Sequence, residues 1–149
     1  METIKTMFEH MAWANERILD VMKTNNKDNK GFIRLFSHLL MAEKVWLTRL
    51  KGMDSQAIQI WPNFNMADCE KLVKENNEDY SNLLSNHQKN NLENLIIYKN
   101  SKGTEFQNSI REVLTHVALH GQYHRGQINQ QLRDNGLEPV NIDFITYTR

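Results

Sequence analysis

Residues 109–136, SIREVLTHVALHGQYHRGQINQQLRDNG, have the pattern of one long amphipathic helix. Ser109 and Glu112 have the spacing of a capping box, which predicts that the helix begins at about Ile110. The pair Asn135 and Gly136 should end it, because glycine readily adopts the left-handed conformation that closes many helices. Apolar residues at helical spacing predict its buried face: Ile110, Val113, Leu114, Val117, Ile128 and Leu132.

Three earlier segments have the same helical spacing of apolar residues. The first predicted helix covers about residues 2–24. Its apolar face consists of Ile4, Phe8, Met11, Ile18 and Met22. The second should end at Gly52. Its predicted inner face consists of Leu35, Leu39, Ala42, Trp46 and Leu50. Asn65 can cap a third helix, which should end near His87. Its apolar residues are Cys69, Val73, Tyr80 and Leu84.

The segment 95–107, LIIYKNSKGTEFQ, breaks the helical period. Its β-branched and aromatic residues on both sides of a turn at Gly103 predict two short strands. Six glycines and two prolines in 149 residues leave few other helix breakers. We therefore predict an all-α protein with one domain over residues 1–149, a four-helix bundle with a short β-hairpin before the last helix.

The charge balance and the apolar pattern exclude several functional classes. Lys plus Arg and Asp plus Glu both number 18, so the net charge is zero at pH 7. A nucleic-acid-binding surface needs a basic patch, which this sequence lacks. The apolar residues are interrupted by charges and do not form a signal or membrane-spanning segment. A single cysteine cannot form an internal disulfide, so we expect a cytoplasmic protein without a membrane partner.

Histidines in the last predicted helix lie four residues apart, at positions 116, 120 and 124. His124 falls inside the predicted buried face, His120 at its edge and His116 at the rim, since a four-residue step drifts by about 40° on a helix. Two imidazoles make half of a metal site, and His38 on the flank of the second helix could supply a third ligand. Three neutral histidines would leave the open position that is typical of catalytic zinc.

The alternative is that these residues are hydrogen-bonded core histidines, because this spacing also arises in helices that bind no metal. His10 and His87 have no matching partner and are predicted to lie at the surface or at an edge of the bundle.

Five stretches of the sequence together resemble the DinB/YfiT-like family of metal-binding four-helix-bundle proteins. They read WANERIL, HLLMAEKVWLTRLKG, YKNSKGTEFQ, HVALHGQYHRGQINQQLRDNG and PVNIDFITYTR. The resemblance extends over nearly the whole chain and implies a divalent metal on His38, His120 and His124. Zinc is the first expectation for this ion, and nickel, iron and manganese are the alternatives.

The same resemblance implies a chemistry for the metal. Some members of this family are S-transferases that use bacillithiol or another low-molecular-weight thiol, so we expect a small-molecule thiol and an electrophilic substrate as partners. The alternatives are a metal-binding stress or interaction protein without catalysis, and a metal-dependent hydrolase. Gly121 stands where the zinc proteases with an H-E-x-x-H motif have a catalytic glutamate, which argues against a peptidase unless the fold brings in Glu43 or a glutamate from elsewhere in the chain. We also expect a homodimer.

Two further polar residues are predicted to bind or orient a ligand of the site. Asn15 could face the metal cavity as a cofactor-binding group, or it could bond a buried side chain and set the helix register. Gln127 could orient a ligand imidazole through its second nitrogen. Tyr123 and Arg125 are predicted to point away from the buried face. The glycines in this helix, Gly121 and Gly126, would be explained by close approach of another helix, and Cys69 is expected to be a core residue.

Overall fold

The computed structural model describes residues 1–25, 30–86 and 91–149. In this part of the chain the protein is mostly helical. The helices are α1 (Glu2–Thr24), α2 (Lys30–Leu50), α3 (Met66–Ser85), α4 (Ile110–Asp134) and the short α5 (Phe144–Tyr147). An antiparallel hairpin of β1 (Leu95–Lys99) and β2 (Glu105–Ser109) directly precedes α4, which confirms the predicted fold class.

Local sequence signals mark the predicted helix boundaries. Ser109 and Glu112 form a capping box at the start of α4, and Asn65 and Asp68 form another at the start of α3. Gly52, Gly103 and Gly136 all have positive φ, where a side chain would be strained. The predicted end of the third helix near His87 lies outside the described residues, whereas the described helix ends at Ser85.

Among the described residues, the interior contains two apolar clusters with a polar layer between them. One cluster includes Ile18, Leu40, Val73 and Ile128, and the other includes Met11, Leu47, Tyr80 and Val117. Each of the four long helices therefore contributes to both clusters. Between these levels the four long helices contribute a hydrogen-bonded group of buried polar residues, which are Asn15, Glu43, Asn76 and Arg125. We call this set the polar layer.

Two predictions about burial are wrong. Arg125 was predicted to point away from the core, but it is only 1% exposed. His10 was predicted to lie at the surface or at an edge, but it is 6% exposed because the C-terminal segment covers it. Its Nε2 lies 2.8 Å from the carbonyl oxygen of Ile142, and its ring packs edge-on against Phe144. Both errors have the same reason, because each side chain is buried by residues that are far away in the sequence.

The predicted inner face of α2 is also displaced from the observed one. Leu39 and Ala42 are buried as expected, but Leu35, Trp46 and Leu50 are only partly buried. The centre of the face is instead formed by Phe36, Leu40, Glu43 and Leu47. The predicted face is therefore rotated about the helix axis relative to the buried one, and Trp46 lines a cavity that His120 of α4 also lines. None of the helices that the structure describes combines the length and apolar character needed to cross a membrane.

Candidate metal centre

Three histidines from two neighbouring helices converge at the edge of the bundle. One ring nitrogen from each of His38, His120 and His124 lies within 4.8 Å of the others. His38 comes from α2, while His120 and His124 lie one turn apart on α4. The Nε2 atoms of His120 and His124 are 3.1 Å apart. Two nitrogens bound tetrahedrally to one zinc ion would be roughly 3.4 Å apart, so this spacing is close to that of a shared ion.

Two of the three rings are oriented by acceptors on the side away from the centre. The Nδ1 of His38 lies 2.7 Å from the carbonyl oxygen of Ile60, and the Nδ1 of His124 lies 2.7 Å from Oε1 of Gln127. Because both partners can only accept, each Nδ1 must donate its proton, and the Nε2 of the neutral ring is left with a free lone pair. This arrangement is the one that metal-bound histidines commonly have.

Electrostatics keep two of the imidazoles neutral. Burial, together with the neighbouring His124, His116 and His38, lowers the pKa of His120 to about 4. Burial also lowers the pKa of His38, in spite of its hydrogen bond to the Ile60 carbonyl. A neutral imidazole is the form that binds a metal, so the environment favours the ligating state of these rings at neutral pH.

His116 lies beside the three converging histidines but is not one of them. Its ring is 5.3 Å from that of His120, and it packs edge-on against Trp46 at 5.1 Å. The helical drift that predicted a rim position for His116 therefore describes its place correctly.

The outer wall of the site includes a residue that sequence reasoning missed. Trp61 stacks on His38 with 3.8 Å between ring centres and 7° between ring planes. Trp61 and Ile60 belong to the connection between α2 and α3, and nothing in its sequence shows that it folds back onto α2. The adjacent Pro62 is the one local signal of a rigid turn there.

An open cavity reaches two of the three histidines. It has about 760 Å³, counting the space at its mouth, and both His38 and His120 line it. Trp46 and Arg49 from α2, with Asn100 and Ser101 from the hairpin turn, form other parts of its wall. A small molecule could therefore approach the centre from this side.

Asn15 and Glu43 belong to the polar layer and not to this cavity wall. Asn15 donates through Nδ2 to Oε1 of Glu43 at 3.0 Å, and its Oδ1 accepts from Nη1 of Arg125 at 3.0 Å. This is the second of the two predicted roles for Asn15, a bond to buried side chains. Glu43 also accepts from Nδ2 of Asn76 at 3.2 Å. Gln127 holds the ring of His124 in place, because its Oε1 lies 2.7 Å from Nδ1 of that histidine.

Gly121 has a different role from the one predicted. A Cβ atom at this position would lie 3.1 Å from Nη1 of Arg125, on the same helix. The glycine therefore leaves room for the buried guanidinium, whereas close approach of another helix had been expected. At Gly126 a Cβ atom would meet nothing within 4 Å, so the prediction is wrong there too.

Comparison with known proteins places the chain in a family. The DinB family model matches residues 1–149. Protein DinB of Bacillus subtilis (strain 168) is 23% identical over 156 residues, which cover 95% of this chain and 91% of that protein. Because the family model covers the whole chain, the protein belongs to the DinB family.

Proposed function

We propose that His38, His120 and His124 bind a divalent metal ion, with zinc as the first candidate. The observation that carries the proposal is the convergence of three ring nitrogens within 4.8 Å, two of them on rings whose Nδ1 proton is already bound by an acceptor. An all-imidazole donor set is typical of zinc, copper, iron and nickel sites. Three protein ligands leave a position for a small molecule at the open cavity.

The activity that we propose is transfer of a low-molecular-weight thiol to a small electrophile. A divalent metal lowers the pKa of a thiol that coordinates it, so the ion would supply a thiolate at neutral pH. The sulfur of this thiolate would form a bond to the electrophilic carbon while the leaving group departs with its electron pair, and the proton of the thiol would pass to solvent. In this proposal His38, His120 and His124 hold the ion, Gln127 and the Ile60 carbonyl hold the proton on Nδ1 of two rings, and the cavity admits both reactants.

The protein's own thiol is a poor nucleophile for this reaction. Cys69 is buried, and its Sγ lies 3.4 Å from Oγ of Ser37. Burial raises the pKa of the Cys69 thiol, which disfavours the reactive thiolate. This supports a thiol that enters from solution, with bacillithiol as one candidate.

A hydrolase receives less support from the geometry. Metal-dependent hydrolysis commonly uses a carboxylate as general base beside the ion. Glu43 is fully enclosed in the polar layer, and none of the described residues that line the cavity is acidic. We therefore favour thiol transfer over activation of water.

Elemental analysis of untagged protein purified without chelators tests the metal proposal. We expect about one equivalent of a divalent metal in the wild type and none in His120→Ala. Protein that holds no metal and takes up none from a zinc titration would contradict it.

Cobalt substitution tests the thiol proposal. Addition of a low-molecular-weight thiol to the cobalt form should produce a sulfur-to-metal charge-transfer band, and thiol plus an electrophile should yield a thioether. A thiol band without turnover would favour the metal-binding protein without catalysis, whereas hydrolysed substrate would favour the hydrolase. The expected homodimer remains a prediction, which sedimentation of the metal-loaded protein tests.

A further inference from the structure

Arg49 is a cation in the cavity wall whose charge the fold does not neutralise. Its guanidinium donates from Nε to Oγ of Ser55 at 3.0 Å and from Nη2 to the carbonyl oxygen of Lys99 at 3.2 Å. In the described part of the chain no acidic side chain forms an ion pair with it. A guanidinium has five N–H donors, so three of them have no acceptor among the described residues.

Aromatic rings hold this guanidinium in place. Its Cζ lies 4.5 Å from the ring centre of Trp46 and 4.8 Å from that of Tyr98. Stacking of this kind restricts the orientation of the side chain and lowers the entropy that is lost when a ligand binds. Arg49 is therefore a rigid donor of hydrogen bonds.

Two cavities border Arg49, and an anion would bind more favourably in the one that also reaches the metal centre. None of the described residues that line the metal-side cavity is acidic, and both His38 and His120 line it. A second cavity also borders Arg49 and is lined by Lys99 and by the carboxylates Asp54 and Glu105. These two carboxylates offset the charge of Arg49 and Lys99, so an anion approaches Arg49 more favourably from the metal side, where the described lining has no carboxylate.

The distance between the two ends of the cavity limits the length of a ligand that reaches both. His38 and Arg49 lie on one face of α2, with backbone positions roughly 16 Å apart at about 1.5 Å rise per residue. Both side chains lean toward the N-terminus of the helix, and because the arginine side chain is the longer of the two, the gap between their polar ends is shorter than the backbone distance. The remaining span is on the order of 10 Å, which is the length of an extended tripeptide.

We propose that this cavity binds a thiol of about tripeptide size that carries a carboxylate remote from its sulfur, with the carboxylate on Arg49 and the sulfur at the three histidines. The inference rests on the proposed metal-dependent thiol transfer and adds the class of thiol and the residue that selects it. Arg49 acts here as a specificity-determining residue, because a neutral thiol can reach the ion but cannot use the guanidinium.

The test compares two thiols of similar size that differ in charge, glutathione and its diethyl ester. Their dissociation constants are measured from the charge-transfer band of the cobalt-loaded protein. We expect the wild type to bind glutathione about tenfold more tightly than the ester, because a charge-assisted hydrogen bond contributes this much at a partly exposed site. Arg49→Met should remove the preference and leave the affinity for cobalt unchanged.

Two further variants separate recognition of the carboxylate from a structural role. Arg17 stacks on Trp13 at 5.0 Å on α1 and does not line the cavity, so Arg17→Met should keep the full preference. Ser55→Ala removes a hydrogen-bond partner of Arg49 but not its charge, and should also keep it. A merely structural role of Arg49 would weaken both thiols equally in Arg49→Met.

The outcomes distinguish this inference from the proposed function. If both thiols give the band in the wild type with equal affinity, or if Arg49→Met keeps the preference, the role of Arg49 is wrong while metal and thiol binding stand. If the preference is lost in Arg34→Met instead, the carboxylate lies on the Trp61 side of His38, where Arg34 stacks, and the proposal is wrong. If the wild type binds no cobalt or gives no band with either thiol, the proposed function fails and the inference fails with it.

Discussion

The polar layer and the histidine centre are two polar regions in the same bundle, and they differ in how their hydrogen-bonding groups are satisfied. In the layer, the carboxylate of Glu43 accepts from Asn15 and Asn76, and Asn15 also accepts from Arg125. In the histidine centre, the acceptors lie behind the rings of His38 and His124, and ring nitrogens of the three histidines converge within 4.8 Å of one another.

This difference separates a structural polar cluster from a ligand site. Charges that are buried together need partners inside the fold, and the layer supplies these from all four long helices. Oδ1 of Asn76 has no partner among the described residues, whereas the other bonds of the layer join its members to one another, to the Leu40 carbonyl and to Gln122. In the histidine centre, Nδ1 of His124 carries the proton, so its Nε2 lone pair can either accept from Nε2 of His120 or bind a metal ion. This contrast supports a structural role for the layer and agrees with the metal binding that we propose for the histidines.

The largest expected effect is the loss of metal binding when a ligand histidine is removed. His38→Ala, His120→Ala and His124→Ala should each lower the affinity for zinc by at least about 1,000-fold, because two imidazoles make an incomplete site. His116→Ala should retain stoichiometric binding, since this ring lies at the rim. Zinc titration of the four folded variants decides the matter. Loss of metal in His116→Ala together with retention in His38→Ala would mean that the site is built on α4 alone.

Breaking the polar layer should have the next largest effect, and it should fall on stability. Arg125→Met removes the cation that faces the buried carboxylate of Glu43 across Asn15 and leaves Oδ1 of Asn15 without its donor. An unsatisfied buried polar group typically costs about 1–3 kcal/mol of the free energy of unfolding, and more where a charge is involved. Urea unfolding of the metal-free protein measures this loss.

The matched control for this experiment removes both charges. Arg125→Met combined with Glu43→Gln should be less destabilised than the sum of the two single variants, because no unpaired charge remains. An Arg125→Met loss of under about 1 kcal/mol would show that the layer contributes little to stability.

A smaller effect on metal affinity is expected when Gln127, the residue that holds the ring of His124, is replaced. Gln127→Ala removes the acceptor for the Nδ1 proton of His124, and outer partners of this kind typically change metal affinity by about 10–100-fold. Gln130→Ala is the matched control, because Gln130 bonds Asp134 on the exposed side of the same helix. Equal zinc affinities in the two variants would mean that Gln127 does not orient the ligand.

Features of the fold and the site that depend on the spacing of nearby residues could be predicted from the sequence. Capping boxes, helical periodicity and turn glycines are short-range signals, so the four helices, the hairpin and the placement of His120 and His124 on one face could be inferred. His38 could be named because a histidine on the flank of an apolar helix face seldom lies there without a partner. The family resemblance pointed to the same three residues.

The missed contacts depend on residues far apart in the chain or on the shape of a neighbour. His10 is covered by the C-terminal segment, and Trp61 stacks on His38 from a connection between helices. The burial of Arg125 had one local signal, the glycine four residues earlier whose missing side chain makes room for the guanidinium. A helical wheel drawn from the apolar residues counts arginine as polar and therefore places it on the solvent-facing side of the helix.

The smallest expected effect is a difference in pH response between the two regions. Burial lowers the pKa of His120 to about 4 in the folded protein, whereas the unfolded chain has an ordinary histidine pKa near 6.5. Between these values the unfolded chain binds a proton that the folded protein does not, so the free energy of unfolding of the metal-free protein should fall as the pH drops from about 6.5 to about 4. Glu43 works in the opposite direction, because burial raises its pKa and the folded state then binds the proton more readily.

Urea unfolding of chelator-treated protein at pH 7 and pH 4.5 measures the net change in the free energy of unfolding, and the variant His120→Gln isolates the contribution of the histidine centre. We expect this variant to lose less stability than the wild type between the two pH values. An equal loss in both proteins would mean that His120 is protonated as readily in the folded protein as in the unfolded chain, and that its environment does not favour the neutral, ligating form.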